Sequence, residues 1–353
     1  MLRPYPRSVL LSLASLAVLA CGDDSTPTQP TPGGVPVPGA ALADALAPNT
    51  WTVKAAPREG SFINQASAGV MNDASGNPVV YLLGGRDDDG GCGAPVLAYR
   101  VATNTWTSPG FGAPHLDVFD ANGVGRIGNL LYISGGESYC GGTSFIDGRF
   151  WAYNPATNTL TEKPFPPKGT AQGVTGVIDG LLYVLPGECA YDYFPKPIYC
   201  EDSPFRRLFR FNPATNRWAT KKSAPHFHDL GAGGVIGRQF YVAGGEGTNT
   251  LDRYDPATDT WKTLAPLPVG GTARGTVMQG KLWVVVTHFY ENQGKSRTYA
   301  FAYNPATNSW AQKAAPAYHH SDIVAVTLGG KPHLVAIGDS HDLTPNPVEL
   351  YTP

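Results

Sequence analysis

Short apolar runs that end in glycine recur along most of this chain, separated by polar stretches rich in turn residues. The runs are Tyr81-Leu-Leu-Gly-Gly85, Tyr132-Ile-Ser-Gly-Gly136, Tyr183-Val-Leu-Pro-Gly187 and Tyr241-Val-Ala-Gly-Gly245, with two weaker copies, Trp283-Val-Val-Val-Thr287 and Leu334-Val-Ala-Ile-Gly338. Runs of this length, closed by Gly or Pro, predict strands rather than helices. The 42 Gly and 32 Pro point the same way, since so many turns leave room for few long helices.

A second phrase comes after these runs. It reads Tyr153-Asn-Pro-Ala-Thr-Asn-Thr-Leu160, Phe211-Asn-Pro-Ala-Thr-Asn-Arg-Trp218, Tyr254-Asp-Pro-Ala-Thr-Asp-Thr-Trp261 and Tyr303-Asn-Pro-Ala-Thr-Asn-Ser-Trp310, after a degenerate copy, Tyr99-Arg-Val-Ala-Thr-Asn-Thr-Trp106. The phrase is a hairpin corner: the first Asn or Asp bonds the turn backbone, Pro presets φ, and the second Asn or Asp tolerates a left-handed conformation. The flanking aromatics then fall on two adjacent strands. The chain ends hold the two halves of a further corner, Asn49-Thr50-Trp51 and Leu350-Tyr351-Thr352-Pro353.

The recurrence, at intervals of about 50 residues, is a repeat period. With its paired Gly and later Tyr and Trp, residues 49–353 resemble the kelch family. The resemblance implies an all-β, six-bladed kelch-type β-propeller with four antiparallel strands per blade, a to d from the axis outward. The N-terminal segment would supply the outer strand of the blade whose inner three strands come last, so the ring closes without a free edge. Inner strands are expected near residues 65–71, 119–127, 171–178, 229–236, 272–279 and 321–328. Three departures stand out: Pro186 replaces the first Gly of blade 3, Leu160 replaces Trp in blade 2, and blade 5 lacks the Gly pair.

The N-terminus adds a different picture. Arg3 and Arg7 precede an apolar stretch from Val9 to Ala20, too short to span a bilayer, which meets Cys21. The run Val18-Leu19-Ala20-Cys21 resembles the lipobox of bacterial lipoproteins. Residues 1–20 are therefore expected to be a signal peptide, with lipidation at Cys21 as the membrane contact, and an exported chain anchored in the bacterial cell envelope. Residues 21–48, rich in Pro, Thr and Gly without an apolar face, read as a disordered tether spanning roughly 30 Å. Lys+Arg 26 against Asp+Glu 28 gives a formal charge of −2, without the basic stripe that nucleic acid requires.

Strand order puts the loops that leave strand b and those that approach strand a on one face of the ring. Polar residues come directly after every strand b: Arg86, Glu137, Glu188, Glu246, His288 and Asp339. The approaches to strand a bring His115, His226, His228, His319 and His320, with Asp120, Asp229 and Asp322 read as one aligned position and Arg274 just inside strand a of blade 5. Such a ring can receive a cation, an amine or the hydroxyls of a sugar. His226 and His228 project from one side of an extended stretch, but no third ligand has a fixed spacing, so no metal and no cofactor is expected. Cys92, Cys140, Cys189 and Cys200 lie in loops after strand b; pairing Cys189 with Cys200 and Cys92 with Cys140 is favoured in an oxidising compartment, among three possible connectivities.

The expected function is a binding module that presents its loop-rich face to a glycan, peptide or protein. The alternative is a sugar mutarotase or epimerase acting on an acidic sugar such as sialic acid, because exported sialic-acid mutarotases resemble this chain. That chemistry would draw an acid and a base from Glu137, Glu188, Glu246 or His228, with Arg274 for the substrate carboxylate. A copper-radical oxidase resembling galactose oxidase is a poorer match, since that family has seven blades.

Overall fold

The computed structural model describes residues 49–57, 65–85, 94–108, 115–138, 145–146, 148–189, 206–290, 295–338 and 348–353. The expected signal segment, Cys21 and the tether lie outside them. Among the described residues the strands form six four-stranded antiparallel sheets and three two-stranded ones. The first strands of the four-stranded sheets are Ser67–Asn72, Val124–Ile127, Val174–Ile178, Ala232–Ile236, Thr272–Met278 and Asp322–Leu328, at the places where the sequence puts them. Each first strand touches those of the two adjoining sheets, and the series returns to its start. The fold is a closed, six-bladed β-propeller.

The core is divided among the seams between blades. Six clusters of buried residues each draw on two adjacent sheets; one joins Val80, Leu82 and Tyr99 of blade 1 to Val324, Val335 and Leu350 of blade 6. Strand alternation accounts for this: with a neighbour on each face, the middle strands are apolar on both sides. Leu130–Ser134 and Gln239–Ala243 are accordingly buried along nearly all their length.

The Asn-Pro-Ala-Thr-Asn corners hold the outer seams together. In each, the first Asn or Asp accepts a bond from the backbone N–H two residues on, as at Asn154, Asn212, Asp255 and Asn304. The second is left-handed, with φ between 50° and 57° at Asn49, Asn104, Asn158, Asn216, Asp259 and Asn308. Its side-chain oxygen accepts a bond from the Tyr hydroxyl of its own blade, at 2.7 Å for Tyr99 to Asn104 and for Tyr303 to Asn308. The same oxygen accepts a backbone N–H from the preceding blade, from Ala55 to Asn104 and from Ala265 to Asn308. The strand-d Trp packs at a tilt against the corner's Tyr, or Phe211 in blade 3, and donates its indole N–H across the seam: Trp106 to Ala55 O, Trp218 to Pro164 O, Trp261 to Lys222 O and Trp310 to Ala265 O. Leu160 leaves blade 2 without this donor, and Phe211 leaves blade 3 without the hydroxyl.

Ring closure uses the same parts. Thr50–Val53 pairs antiparallel with Glu349–Thr352, setting Trp51 opposite Tyr351 with ring centroids 5.1 Å apart. Tyr351 donates its hydroxyl to Asn49 Oδ1 at 2.8 Å, and Trp51 donates to Ala314 O at 2.7 Å. Trp51→Ala is therefore expected to destabilise the propeller by about 2–4 kcal/mol, through lost ring packing and the broken seam bond. Trp51→Phe, which keeps the ring, should cost about 1 kcal/mol. Urea unfolding monitored by far-UV circular dichroism checks this; equal midpoints for wild type and Trp51→Ala would mean that the first strand does not close the ring.

Candidate functional site

The glycines after strand b fix the geometry of the loop-bearing face. Gly135 and Gly136 have φ of 64° and 113°, and a Cβ on Gly135 would stand 1.8 Å from Thr170 O. Only glycine lets the chain turn aside there against the next blade. The second glycine then donates its N–H across the seam: Gly85 to Val118 O, Gly136 to Thr170 O and Gly245 to Gly271 O.

Inside this rim a ring of hydrogen bonds runs around the channel mouth. Asp120 N donates to Gln65 O, Gln172 N to Asp120 O, Leu230 N to Gln172 O and Ala273 N to Leu230 O, at 2.7–3.0 Å. Side chains complete the circuit: Arg274 Nε donates to Ser321 O, and Ala68 N donates to Asp322 Oδ2, both at 2.7 Å. Gln65, Asp120, Gln172 and Leu230 are all left-handed, with φ of 60°, 48°, 56° and 53°. Non-glycine residues adopt that conformation at a cost of about 1–3 kcal/mol each, and such strain concentrates at working sites.

The mouth is open and negatively charged. A channel cavity of about 310 Å³ is lined by Gln65, Asp120, Gln172, Arg274 and Asp322, and a second of about 460 Å³ extends from the same mouth over blades 5 and 6. Burial, and then the charges of Glu137 and Glu246, push the Glu188 carboxyl above its usual range. Burial, followed by Glu188 and Glu246, pushes Asp229 up to about 7, although the Leu230 N–H works against this. Asp322 is raised to about 6 by burial, opposed by the N–H groups of Ala68 and Ile323 and by Arg274. Among the described residues Arg274 offsets part of this charge at Asp322, and its Nη2 lies 3.9 Å from Asp120 Oδ1.

The residues expected at the site divide into those the fold assembles and those it turns away. Glu188, Glu246 and Asp229 interact at the mouth, with Glu137 held by Gln172 Nε2 at 3.1 Å. Asp120, Asp229 and Asp322 do not share one aligned position: Asp120 matches Gln65, Gln172 and Leu230 in the ring, Asp229 precedes Leu230, and Asp322 begins its strand. His288 is not in the mouth, because strand alternation sets it on the face opposite Thr287, where its ring packs on Tyr290. His226 and His228 do converge, but on a carboxylate. His226 Nδ1 and His228 Nε2 reach Asp252 Oδ2 at 3.0 and 3.1 Å, and His228 Nδ1 reaches Gly244 O. Burial works against the Asp252 carboxylate, but bonds from His228, Thr263 and His226 hold it below its usual range. Blade 6 repeats the arrangement with His320, Glu349 and Gly338 O. Among the described residues no group of three or more His, Cys, Asp or Glu is placed to hold a metal ion.

Arg86, Cys92, Cys140, Cys200 and Asp339 lie outside the described residues, as do the side chains of His115 and Cys189. Gln65 and Gln172 join the site although neither is charged, so the pattern of charged loop ends does not single them out. Their signal in the sequence is positional: each stands two residues before the start of strand a, where the seam needs a left-handed residue.

With this geometry, each blade can be compared with known repeats. The Kelch motif model matches residues 232–268, which hold all four strands of blade 4. The other blades repeat that blade's four-stranded order and corner, with the glycine turn missing from blade 5 and the Trp donor from blade 2. The chain is a kelch-repeat β-propeller. Kelch-like protein terF of Aspergillus terreus is 28% identical over 241 residues, covering 62% of this chain and 49% of that protein. Human Kelch-like protein 23 is 27% identical over 240 residues, covering 66% and 39%. The chain thus spans about half or less of the length of the curated relatives it matches. The solved structure of YjhT shares the fold, with a TM-score of 0.61 at 18% identity over 81% of this chain and 93% of that one.

The raised Asp229 sets a pH dependence for the kelch propeller. Its folded pKa, about 7, lies above the unfolded value near 3.8, so its contribution favours the fold at low pH and is lost as pH rises through 7. Asp229→Asn should therefore unfold at a higher temperature than wild type at pH 8, with the difference shrinking toward pH 4. Thermal scans at the two pH values check it, and a wild type more stable than the variant at pH 8 would refute the assignment.

Proposed function

We propose that this kelch propeller is a ligand-binding module that receives a cationic group at the mouth of its channel, on the face of the strand-b loops. The observation that carries this reading is the gathering of Glu137, Glu188, Asp229 and Glu246 at the mouth, where burial and then the neighbouring carboxylates raise Glu188 and Asp229, a concentration of negative charge that a bound cation would relieve. The donor of the cation can be a peptide, a protein or a glycan. Kelch propellers are typically protein-binding modules, so a binding role also agrees with the family.

The alternative, an enzyme for an acidic sugar, needs Arg274 as the partner of a substrate carboxylate. That guanidinium already donates from Nε to Ser321 O and from Nη1 to Ala273 O, and its Nη2 faces Asp120. Its position supports a role in closing the ring, so its loss should lower stability as well as alter the mouth.

Glu188→Gln and Glu246→Gln are each expected to weaken binding of a Lys- or Arg-containing peptide roughly five-fold, and more at low salt, without lowering the unfolding midpoint. A peptide array read in about 20 mM and about 300 mM salt, followed by titration calorimetry, tests this. Preference for acidic peptides, or unchanged affinity in both variants, would overturn the reading.

We also propose that the chain is exported and lipid-anchored in the cell envelope, supported by Cys21 at the end of the apolar run Val9 to Ala20. Cys21→Ser should move the protein from the membrane fraction to the soluble fraction. Salt-resistant membrane retention of that variant would rule the anchor out.

A further inference from the structure

Blade 5 differs from its neighbours in a way that builds a second wall beside the mouth. Its middle strands, Lys281–Tyr290 and Lys295–Asn304, are ten residues each, whereas those of blade 4 are five. Strand a stops at the pair Thr272↔Thr287 and strand d at Ala300↔Lys313, but the middle hairpin continues through Phe289↔Ser296 to Tyr290↔Lys295. Where most other blades have the glycine pair, blade 5 has Val286 and Thr287, so nothing turns the strand aside. The hairpin therefore stands about 10 Å above the blade.

One face of this hairpin is a row of hydroxyls. Thr272, Thr287 and Thr298 are cross-strand neighbours, and alternation adds Ser296 and Phe289 to the same face. Thr272, Thr287, Ser296 and Thr298 form one side of the cavity of about 460 Å³; Tyr318 and His319 of blade 6 form the other, and Glu246 and Asp120 line it as well. The ring of Tyr318, 40% exposed, lines the groove, and Phe289, 57% exposed, lies further along the hydroxyl face of the hairpin. His319 Nδ1 lies 3.4 Å from Thr287 Oγ1, so the two walls meet at the groove floor.

These surfaces ask for different things of a ligand. Hydroxyls donate and accept equally, which suits a partner that is itself rich in hydroxyls. Exposed aromatic faces suit the flat C–H face of a ring. The carboxylates that line the cavity suit a cation. A lysine side chain would satisfy the carboxylates alone and leave the hydroxyl wall without a counterpart. An amino sugar satisfies all three within a cavity of ordinary ligand size.

We propose that the groove between the blade 5 hairpin and Tyr318 is a subsite for a glycan containing de-N-acetylated hexosamine, its ring against Tyr318, its hydroxyls along Thr287 and Thr298, and its ammonium toward Glu246. This rests on the reading of the mouth as a site for a cationic group.

The test is titration calorimetry of the propeller with a β-1,4-linked glucosamine trisaccharide, its N-acetylated form, cellotriose and trilysine. Glucosamine trisaccharide should bind, and Tyr318→Ala and Thr298→Val should each weaken it roughly five- to ten-fold. Glu246→Gln should weaken it similarly, and the N-acetylated and neutral sugars should bind at least roughly ten-fold more weakly. Unchanged unfolding midpoints would show that the variants report on binding. Trilysine binding that depends on Glu246 but not on Tyr318 or Thr298, with no sugar binding, overturns the glycan subsite and leaves the cationic mouth standing. Equal binding of cellotriose and glucosamine trisaccharide overturns the role of the ammonium. Failure of both glucosamine trisaccharide and trilysine overturns the subsite and the reading beneath it.

Discussion

The circuit of hydrogen bonds around the channel mouth is the constraint on which the rest of this propeller depends. Four of its six seams are closed by backbone, from Asp120 N to Gln65 O around to Ala273 N to Leu230 O. The other two are closed by Arg274 and Asp322, through Ser321 O and Ala68 N. At those four seams a backbone link ties a blade to its neighbour whatever its side chains, and the left-handed residues Gln65, Asp120, Gln172 and Leu230 set the direction in which strand a enters the ring in blades 1 to 4. Where side chains take over, a structural bond and a charge in the mouth become the same group. Arg274 and Asp322 therefore belong to both the scaffold and the site.

The outer seams obey the same principle with different parts. A single corner residue, such as Asn308, accepts the hydroxyl of its own blade's Tyr303 and the backbone N–H of Ala265 in the preceding blade. The glycine pair likewise turns the strand and donates across the seam. Each repeated motif thus connects blades as well as shaping one. Blade 5 illustrates the loss of a motif: without the glycine turn, its hairpin extends past the blade and becomes the wall of a groove.

Buried charge is divided between two uses. Asp252 and Glu349 are bonded to His228 and His320, whose other ring nitrogens reach the glycine turns, so the two carboxylates are satisfied and hold loops in place. Among the described residues, Glu188, Asp229 and Glu246 have no comparable cation beside them, and their proximity raises the carboxyl groups of Glu188 and Asp229. The first arrangement stabilises the loops, while the second keeps an unmet preference for positive charge at an open mouth.

The sequence by itself determined the blade count, the strand order and the closing pair of Trp51 and Tyr351, because these depend on periodicity and on turn residues whose backbone preferences are local. It also brought the carboxylates of Glu137, Glu188, Glu246 and Asp229 to one face, since strand order alone decides which loop ends meet. Only the tertiary structure decided which polar residues face the channel. His228 and His288 stand at the expected loop ends, but one is buried against Asp252 and the other turns toward Tyr290. Asp120 and Asp229 look equivalent in the sequence yet differ by one position around the ring. Such choices depend on a single residue of register and on partners far away in the chain, such as Asp322 for Ala68, and no local pattern encodes them.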